Sequence, residues 1–424
     1  MPGVGGLHTS ACVRRFGCQC VALVLGVAWS MLPCPGAATA PPLTTNELDP
    51  PLTVAPAQPL ASPPVAPSQL TQPPPATVVT NRDPLPQRPT GELFPLWPTN
   101  TLLETQVPLR DWADYYALPA PRRIGEFPQP TYEVRAGGGR ALLRIGSPRA
   151  TIRGVDVLLT HVPQLLGGQP VLHRLDLQKS LHPLLWVDDA APLLTTNRII
   201  VIDAGHGGKD VGTGTGDGRH FEKTYTLDWA LRLRPLLERQ GLQVVMTRTN
   251  DVEVPLAHRV FIAEEAGAAL FISLHFNSAQ PVPSRKGLET YALTPPGMPS
   301  TFVRDGEDNP RLAFPNNAHD RENLQLAWRI HRAVLNTTHA TDRGVQRARF
   351  LGVLRGQGRP AVLVEGGYLS NPEESRRIAD PQYRQRLAEG VADAVRELVR
   401  APLVRASAAT PPEGPAKKTS PPAQ

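Results

Sequence analysis

The chain has 424 residues, 48 prolines, four cysteines and a formal charge of +6. All four cysteines (Cys12, Cys18, Cys20, Cys34) lie in the first 34 residues, which excludes a disulfide scaffold, a thiolate zinc finger and a cysteine nucleophile in the main body. Prolines make up 17 of the 58 residues from Pro41 to Pro98 and 6 of the 24 from Ala401, which excludes one continuous globule, and the charge forms no basic run, so no nucleic-acid partner is expected.

Residues 1–40 read as an export signal. Arg14 and Arg15 precede an apolar run from Val21 to Leu32, and the small residues Gly36-Ala-Ala-Thr-Ala40 follow. The run is the length of a signal core and too short to span a bilayer, which needs roughly 20 residues. Cleavage would leave an exported chain with no membrane span and no cysteine, in the periplasm or outside the cell. Residues 41–100 read as a Pro-rich linker, densest at Pro73-Pro-Pro75, and residues 401–424 as a disordered Pro-rich tail.

Residues 101–190 read as a small β-rich accessory module. Leu109 to Leu118 forms a short helical pattern whose Trp112, Tyr115 and Tyr116 suit a core. Tyr132-Glu-Val-Arg135, Ala141-Leu-Leu-Arg-Ile145 and Val155-Asp-Val-Leu-Leu159 have strand patterns separated by glycine turns. The segment loosely resembles the small N-terminal module of copper-amine-oxidase-like proteins, which would imply a role in envelope attachment.

From 197 to 400 strands alternate with helices, which predicts an α/β fold with a mainly parallel sheet flanked by helices. Ile199-Ile-Val-Ile202, Gln243-Val-Val-Met-Thr247, Leu270-Phe-Ile-Ser-Leu274 and Ala361-Val-Leu-Val364 are the strands. Helices are expected from Glu222 to Gln240, closed by Gly241 with a kink at Pro235, and from Pro255 to Ala266, closed by Gly267. Asn371-Pro372 and Asp380-Pro381 each place a capping side chain before a proline, a helix-start signal.

Sites in such sheets form beyond the carboxyl ends of strands. Three strands run into Asp203-Ala-Gly-His206-Gly-Gly208, His275-Phe-Asn277 and Glu365-Gly-Gly367, and the glycine-rich loop after the first delivers Glu222 at a helix start. That loop is no phosphate loop, because Asp210 follows Lys209 where serine or threonine is needed. Two histidines and a carboxylate suit a catalytic zinc with one open position, which lowers the pKa of water to about 7. A further carboxylate can carry the proton. His206, Glu222, His275 and Glu365 fit these roles, but gaps of 15, 52 and 89 residues do not prove them.

These blocks resemble the zinc-dependent N-acetylmuramoyl-L-alanine amidases of bacterial cell walls, the Amidase_3 family. The matching stretches are Ile202-Asp-Ala-Gly-His-Gly-Gly208, Glu222-Lys223, Thr247-Arg248 with Asp251, Ser273-Leu-His-Phe-Asn-Ser278, Gly287-Leu-Glu-Thr-Tyr291, Asp342-Arg-Gly-Val345 and Leu363 through Asn371, in family order. The resemblance implies one Zn2+ held by His206, Glu222 and His275, Glu365 as general base, and hydrolysis of the amide joining N-acetylmuramic acid to the L-alanine of the stem peptide. Tyr368 stands where the family commonly has Phe, and Ala263-Glu264 replaces a common Ala-Asn, a difference expected to lie on the surface. Residues 280–319, rich in Pro and Asn, read as a loop over the cleft rather than a plugging helix. Asp203 and Asn277 flank the histidines and are candidates to orient them.

The expected partners are peptidoglycan and, as a candidate, an envelope regulator; a monomer is expected. Two alternatives stand beside the amidase: a zinc peptidase acting within the stem peptide, and a non-catalytic wall-binding or regulatory protein on the same fold.

Overall fold

The computed structural model describes residues 105–125, 129–187, 194, 196–303 and 308–399. The signal, linker and tail readings lie outside them. The first part contains β1 (Gln106–Pro108), α1 (Leu109–Tyr115), β2 (Arg122–Arg123), β3 (Thr131–Ala136), β4 (Gly139–Arg144), β5 (Arg149–Ile152), β6 (Val155–Leu158), β7 (Gln164–Leu166) and β8 (Gln169–His173). A helical run follows: α2 (Arg174–Asp176), a π-helical stretch (Leu177–Leu181) and α3 (His182–Leu185). The second part holds β9 (Ile199–Ala204), α4 (Glu222–Glu238), β10 (Gln243–Met246), α5 (Leu256–Glu265), β11 (Leu270–Asn277) and β12 (Leu288–Leu293). After a 3₁₀ turn come α6 (Asp320–Thr338), β13 (Asp342–Ala348), α7 (Gly352–Arg355), β14 (Ala361–Tyr368), α8 (Pro372–Ala379) and α9 (Pro381–Val399).

The strands form one eleven-stranded sheet in the order β10-β9-β11-β14-β12-β13-β6-β5-β4-β3-β2, beside a small sheet β1-β8-β7. β10, β9, β11 and β14 run parallel, which is the expected α/β architecture; β12 is antiparallel to β14. The unbroken apolar runs of β9, β11 and β14 follow from burial on both faces, as parallel strands covered by helices require. Beneath them, Trp229 of α4, Phe276, Trp328 of α6 and Leu387 of α9 are at most 1% exposed.

The helix signals match in detail. Asn371 caps α8 by accepting from the N–H groups of Glu373 and Glu374, and Gly241 has φ 77° just beyond α4. α4 stops at Glu238, so Pro235 falls in its last turn. Trp112 and Tyr116 are buried, as a core role requires, while Tyr115 is half exposed.

Two features differ from the sequence reading. The stretch 280–319 is not all loop, because β12 lies inside it, fully buried between β14 and β13. Its alternation is hidden because every residue of β12 is buried on both faces. The β strands of residues 131–158 also continue the same sheet, through a parallel bridge from Val157 to Val345. Asp342 reinforces that bridge by accepting from the Asp156 N–H at 3.0 Å. Among the described residues, no helix is long and apolar enough to cross a membrane.

Candidate metal centre

The site is assembled at the ends of three neighbouring strands. β9 runs into Gly205 and His206, β11 carries His275, and β14 carries Glu365, which lies in register with His275. His206 has φ 61°, a left-handed conformation that costs a non-glycine residue about 1–2 kcal/mol. Two buried arginines hold the turn in that shape. Arg248 donates to the carbonyls of Ala204 (3.0 Å) and Gly205 (2.9 Å). Arg259 donates to those of Ala204 (2.8 Å) and His206 (2.9 Å). Arg259 in turn pairs with the fully buried Asp203 at 2.6 Å.

Asp203 is therefore not an orienting group for the histidines. Its carboxylate accepts from Thr247, Ser273 and Arg259, with no bond to either imidazole. Burial alone would raise the Asp203 carboxyl, but the Arg259 guanidinium and the Ser273 hydroxyl outweigh it and hold it below its ordinary range. Asp203→Ala is expected to cost about 3–5 kcal/mol of stability, because it strands a buried guanidinium. A chemical-denaturation midpoint measures this, and a loss below about 1 kcal/mol would contradict it. Asn277 likewise turns away from the histidines and donates to Glu289 at 2.8 Å.

The residue that does orient a histidine is Asp210, whose Oδ1 lies 2.8 Å from His206 Nδ1. That contact leaves Nε2 facing the site, 3.1 Å from Glu222 Oε2. Glu222 Oε1 lies 2.9 Å from His275 Nδ1. Glu222 is 3% exposed, and it also accepts from the N–H groups of Phe276 and Thr213, both at 3.0 Å. Burial opposes its ionisation, yet hydrogen bonds with His206 and His275 win and hold its pKa far below the usual carboxylate range. His206 is pushed the other way: burial lowers its pKa, but Glu222 and then Asp210 outweigh burial and raise it.

One donor atom from each of His206, Glu222 and His275 lies within 4.8 Å of the other two. The donors fit a zinc ion. They are imidazole nitrogen and carboxylate oxygen, and tetrahedral ligands at 2.0–2.2 Å stand roughly 3.4 Å apart. Two glycines keep the space open. A Cβ on Gly205 would lie 2.3 Å from the His275 ring, and one on Gly212 would lie 2.6 Å from both Glu222 Oε2 and His206 Cδ2.

Glu365 lines the same cavity, of about 330 Å³, together with Tyr291, Phe302 and Phe350. Its register partner on β12 is Glu289, which sequence reasoning missed as a site residue. Glu289 is 2% exposed and accepts from Asn277, Tyr291, Tyr368 and Arg343 at 2.6–2.8 Å. Tyr368, the departure from the common Phe, thus has a partner for its extra hydroxyl. Glu264, expected to be a surface difference, is exposed, and from the surface it pairs with the buried Arg359 at 2.7 Å and accepts from the Gly358 N–H.

The loop beyond β12 reaches the cavity through Phe302, whose ring stacks edge-on with Phe350 at 5.8 Å. It is tied down: the Thr301 N–H donates to the Arg347 carbonyl, and Arg349 pairs with Asp308 and donates to the Met298 carbonyl. These anchors come from the end of β13 and the residue after it, a strand that sequence patterning did not identify.

Residues 200–397 match the Amidase_3 family, described as N-acetylmuramoyl-L-alanine amidase. The sporulation-specific N-acetylmuramoyl-L-alanine amidase of Bacillus subtilis is 32% identical over 200 residues, covering 47% of this chain and 67% of that protein. AmiA of Escherichia coli is 29% identical, covering 47% of this chain and 75% of AmiA. Among solved structures, the catalytic domain of CwlV from Bacillus (Paenibacillus) polymyxa is 34% identical with a TM-score of 0.39, covering 47% of this chain and 97% of that one. With its family blocks in order and a relative 32% identical across two thirds of its length, the chain belongs to the N-acetylmuramoyl-L-alanine amidase family Amidase_3.

Proposed function

We propose that this protein is an exported, zinc-dependent peptidoglycan amidase that cleaves between N-acetylmuramic acid and the L-alanine of the stem peptide. The observation that carries the reading is the convergence of His206, Glu222 and His275 within 4.8 Å in a cavity that Glu365 also lines. His206, Glu222 and His275 would hold the zinc. When bound, that ion supplies Lewis acidity, acidifying water to a pKa of about 7 and polarising the amide carbonyl.

The remaining work falls to the chain. Glu365 takes a proton from the attacking water and returns it to the L-alanine nitrogen as the C–N bond breaks. Asp210 and the Arg248–Arg259 clamp keep His206 in its strained geometry, so little reorganisation is needed during turnover. The Phe302–Phe350 edge gives one side of the cleft an apolar wall against which substrate excludes water.

Export is supported by Arg14, Arg15 and the apolar run from Val21 to Leu32. Residues 197–400 are proposed as the catalytic domain and 101–190 as an accessory module that is stitched to it through β6 and β13. The proposed substrate polymer is peptidoglycan, acted on by a monomer, with an envelope regulator as a candidate partner.

The test is mass spectrometry of purified sacculi digested with and without a chelator. Intact stem peptides bearing an L-alanine amino terminus are expected, and they should vanish with chelator. Fragments cut within the stem peptide would instead establish a peptidase, and no release at all would favour a binding protein.

A further inference from the structure

The metal centre borders two cavities. The first is the one that Glu365, Tyr291, Phe302 and Phe350 line. A second, of about 230 Å³, lies against the start of α5 and is lined by Glu253, Val254, Pro255, Leu256 and Val353. His206 and His275 belong to both, so the two are arms of one cleft that meet at the donor cluster. The other charged groups of the second arm are engaged with one another or with the site. Asp203 pairs with Arg259 at 2.6 Å, and Asp210 with His206 at 2.8 Å. Glu253 stands at its exposed edge.

Strand order gives the cleft a direction. β9, β11 and β14 are neighbours in that order, and they supply or lead into His206, His275 and Glu365 in turn. β14 is two strands from β9, or roughly 10 Å at the usual spacing. Glu365 therefore stands on the β14 side of the donors, where the first arm runs on past Leu363 to Tyr291 of β12. The second arm lies on the β9 side, where Asp203 and the segment entering α5 line it. A group that protonates a leaving nitrogen must come within hydrogen-bond reach of it. The amine half of a cleaved amide thus belongs on the β14 side, in the arm with the aromatic rings. The acyl half is directed across the donors, towards α5.

The lining of the second arm suits a saccharide. Leu256 opens α5 and is 58% exposed, an apolar surface at the mouth of a cavity. Its tip is set against the start of α7, where a Cβ on Gly352 would lie 3.1 Å from Leu256 Cδ1. A sugar ring offers an apolar C–H face to such a side chain and hydroxyl donors to a carboxylate, whereas a carboxylate repels the acidic groups of a peptide. We propose that this arm receives the saccharide side of the scissile amide, with Leu256 as its apolar platform and Glu253 as acceptor for sugar hydroxyls. The proposal rests on the function put forward above and assigns the stem peptide to the aromatic arm. Leu256 and Glu253 set specificity without touching the bond that breaks.

The experiment compares two soluble substrates that share the scissile amide: a disaccharide stem peptide, and a lactyl stem peptide that lacks the sugar. Preference for the first is read twice in the full chain, as a ratio of kcat/KM values and, in a Glu365→Gln background, as a ratio of dissociation constants. Glu253→Ala with Leu256→Ala should lower both preferences about tenfold, the combined worth of a hydrogen bond and a partly buried apolar side chain. Glu253→Gln with Leu256→Met, which keeps an acceptor and an apolar chain, should restore most of it. Phe302→Ala, in the other arm, should weaken both substrates alike and leave the preference near its parent value.

An unchanged preference in the double alanine variant would overturn the proposal, as would a wild type that handles both substrates equally. A variant that keeps the saccharide preference but no longer distinguishes long from short stem peptides would show the arms to be reversed, which overturns it too. Should the double variant not fold, Glu253→Ala alone, at an exposed side chain, should still lower the preference about threefold. Failure of the wild type to cut either substrate would sink the catalytic reading, and the binding ratio would still decide what the second arm holds.

Discussion

Replacing Glu365 by glutamine is expected to lower turnover about 10²–10⁴-fold, the usual worth of a positioned general acid–base group. Glutamine keeps the shape of the side chain on β14, so the strand and its pairing with β11 and β12 should persist. Glu365 is outside the three-residue donor cluster, so zinc content should stay at one per chain. The two readouts together separate a chemical role from a structural one. Turnover of a defined muropeptide measures the first, and elemental analysis of the purified protein measures the second. A variant within tenfold of wild type would remove Glu365 from the mechanism.

Loss of the buried carboxylate in the donor set should act differently. Glu222→Ala deletes the group that meets both histidines, and it strands the N–H groups of Phe276 and Thr213. Zinc affinity is expected to fall by more than about a hundredfold, since even outer partners of metal ligands are worth about 10–100-fold. Activity should fall with it. His275→Ala tests the same loss without stranding those amides. Metal that binds the folded state raises its stability, so wild type should melt at a lower temperature in chelator. Both variants should lose that response. Full zinc occupancy in His275→Ala would show that the ion is held elsewhere.

Much of this site was legible in the linear chain. The buried apolar runs of β9, β11 and β14 announce parallel strands, with His206 just beyond β9 and His275 and Glu365 in the carboxyl-terminal halves of β11 and β14. Glu222 could be placed at a helix start because the glycine-rich loop before it has no helical pattern. The groups that hold the site in shape were harder to find. Arg259 looks like any polar residue on α5 until its guanidinium is seen to bind the His206 carbonyl. Glu289 lies in a Pro- and Asn-rich stretch that reads as loop, because a strand buried on both faces has no polar alternation to betray it. Asp203 adjoins the metal-centre loop in sequence, yet its side chain points to Arg259 and Ser273.

By itself, the sequence determined most elements of the catalytic part, though not β12 or β13, and it singled out the residues proposed to carry the chemistry and the family blocks around them. These depend on local patterns: hydrophobic period, capping side chains, and motif blocks that survive in order. Only the tertiary structure decided what surrounds them. It brought Asp210 to His206, assembled four donors on Glu289, joined the N-terminal strands to the catalytic sheet through Val157 and Val345, and set the start of α5 beside the metal centre. The reason is physical. Strand pairing and charge clustering join residues as far apart as 188 positions, Val157 to Val345, and no local period in the chain records which distant neighbour each will meet.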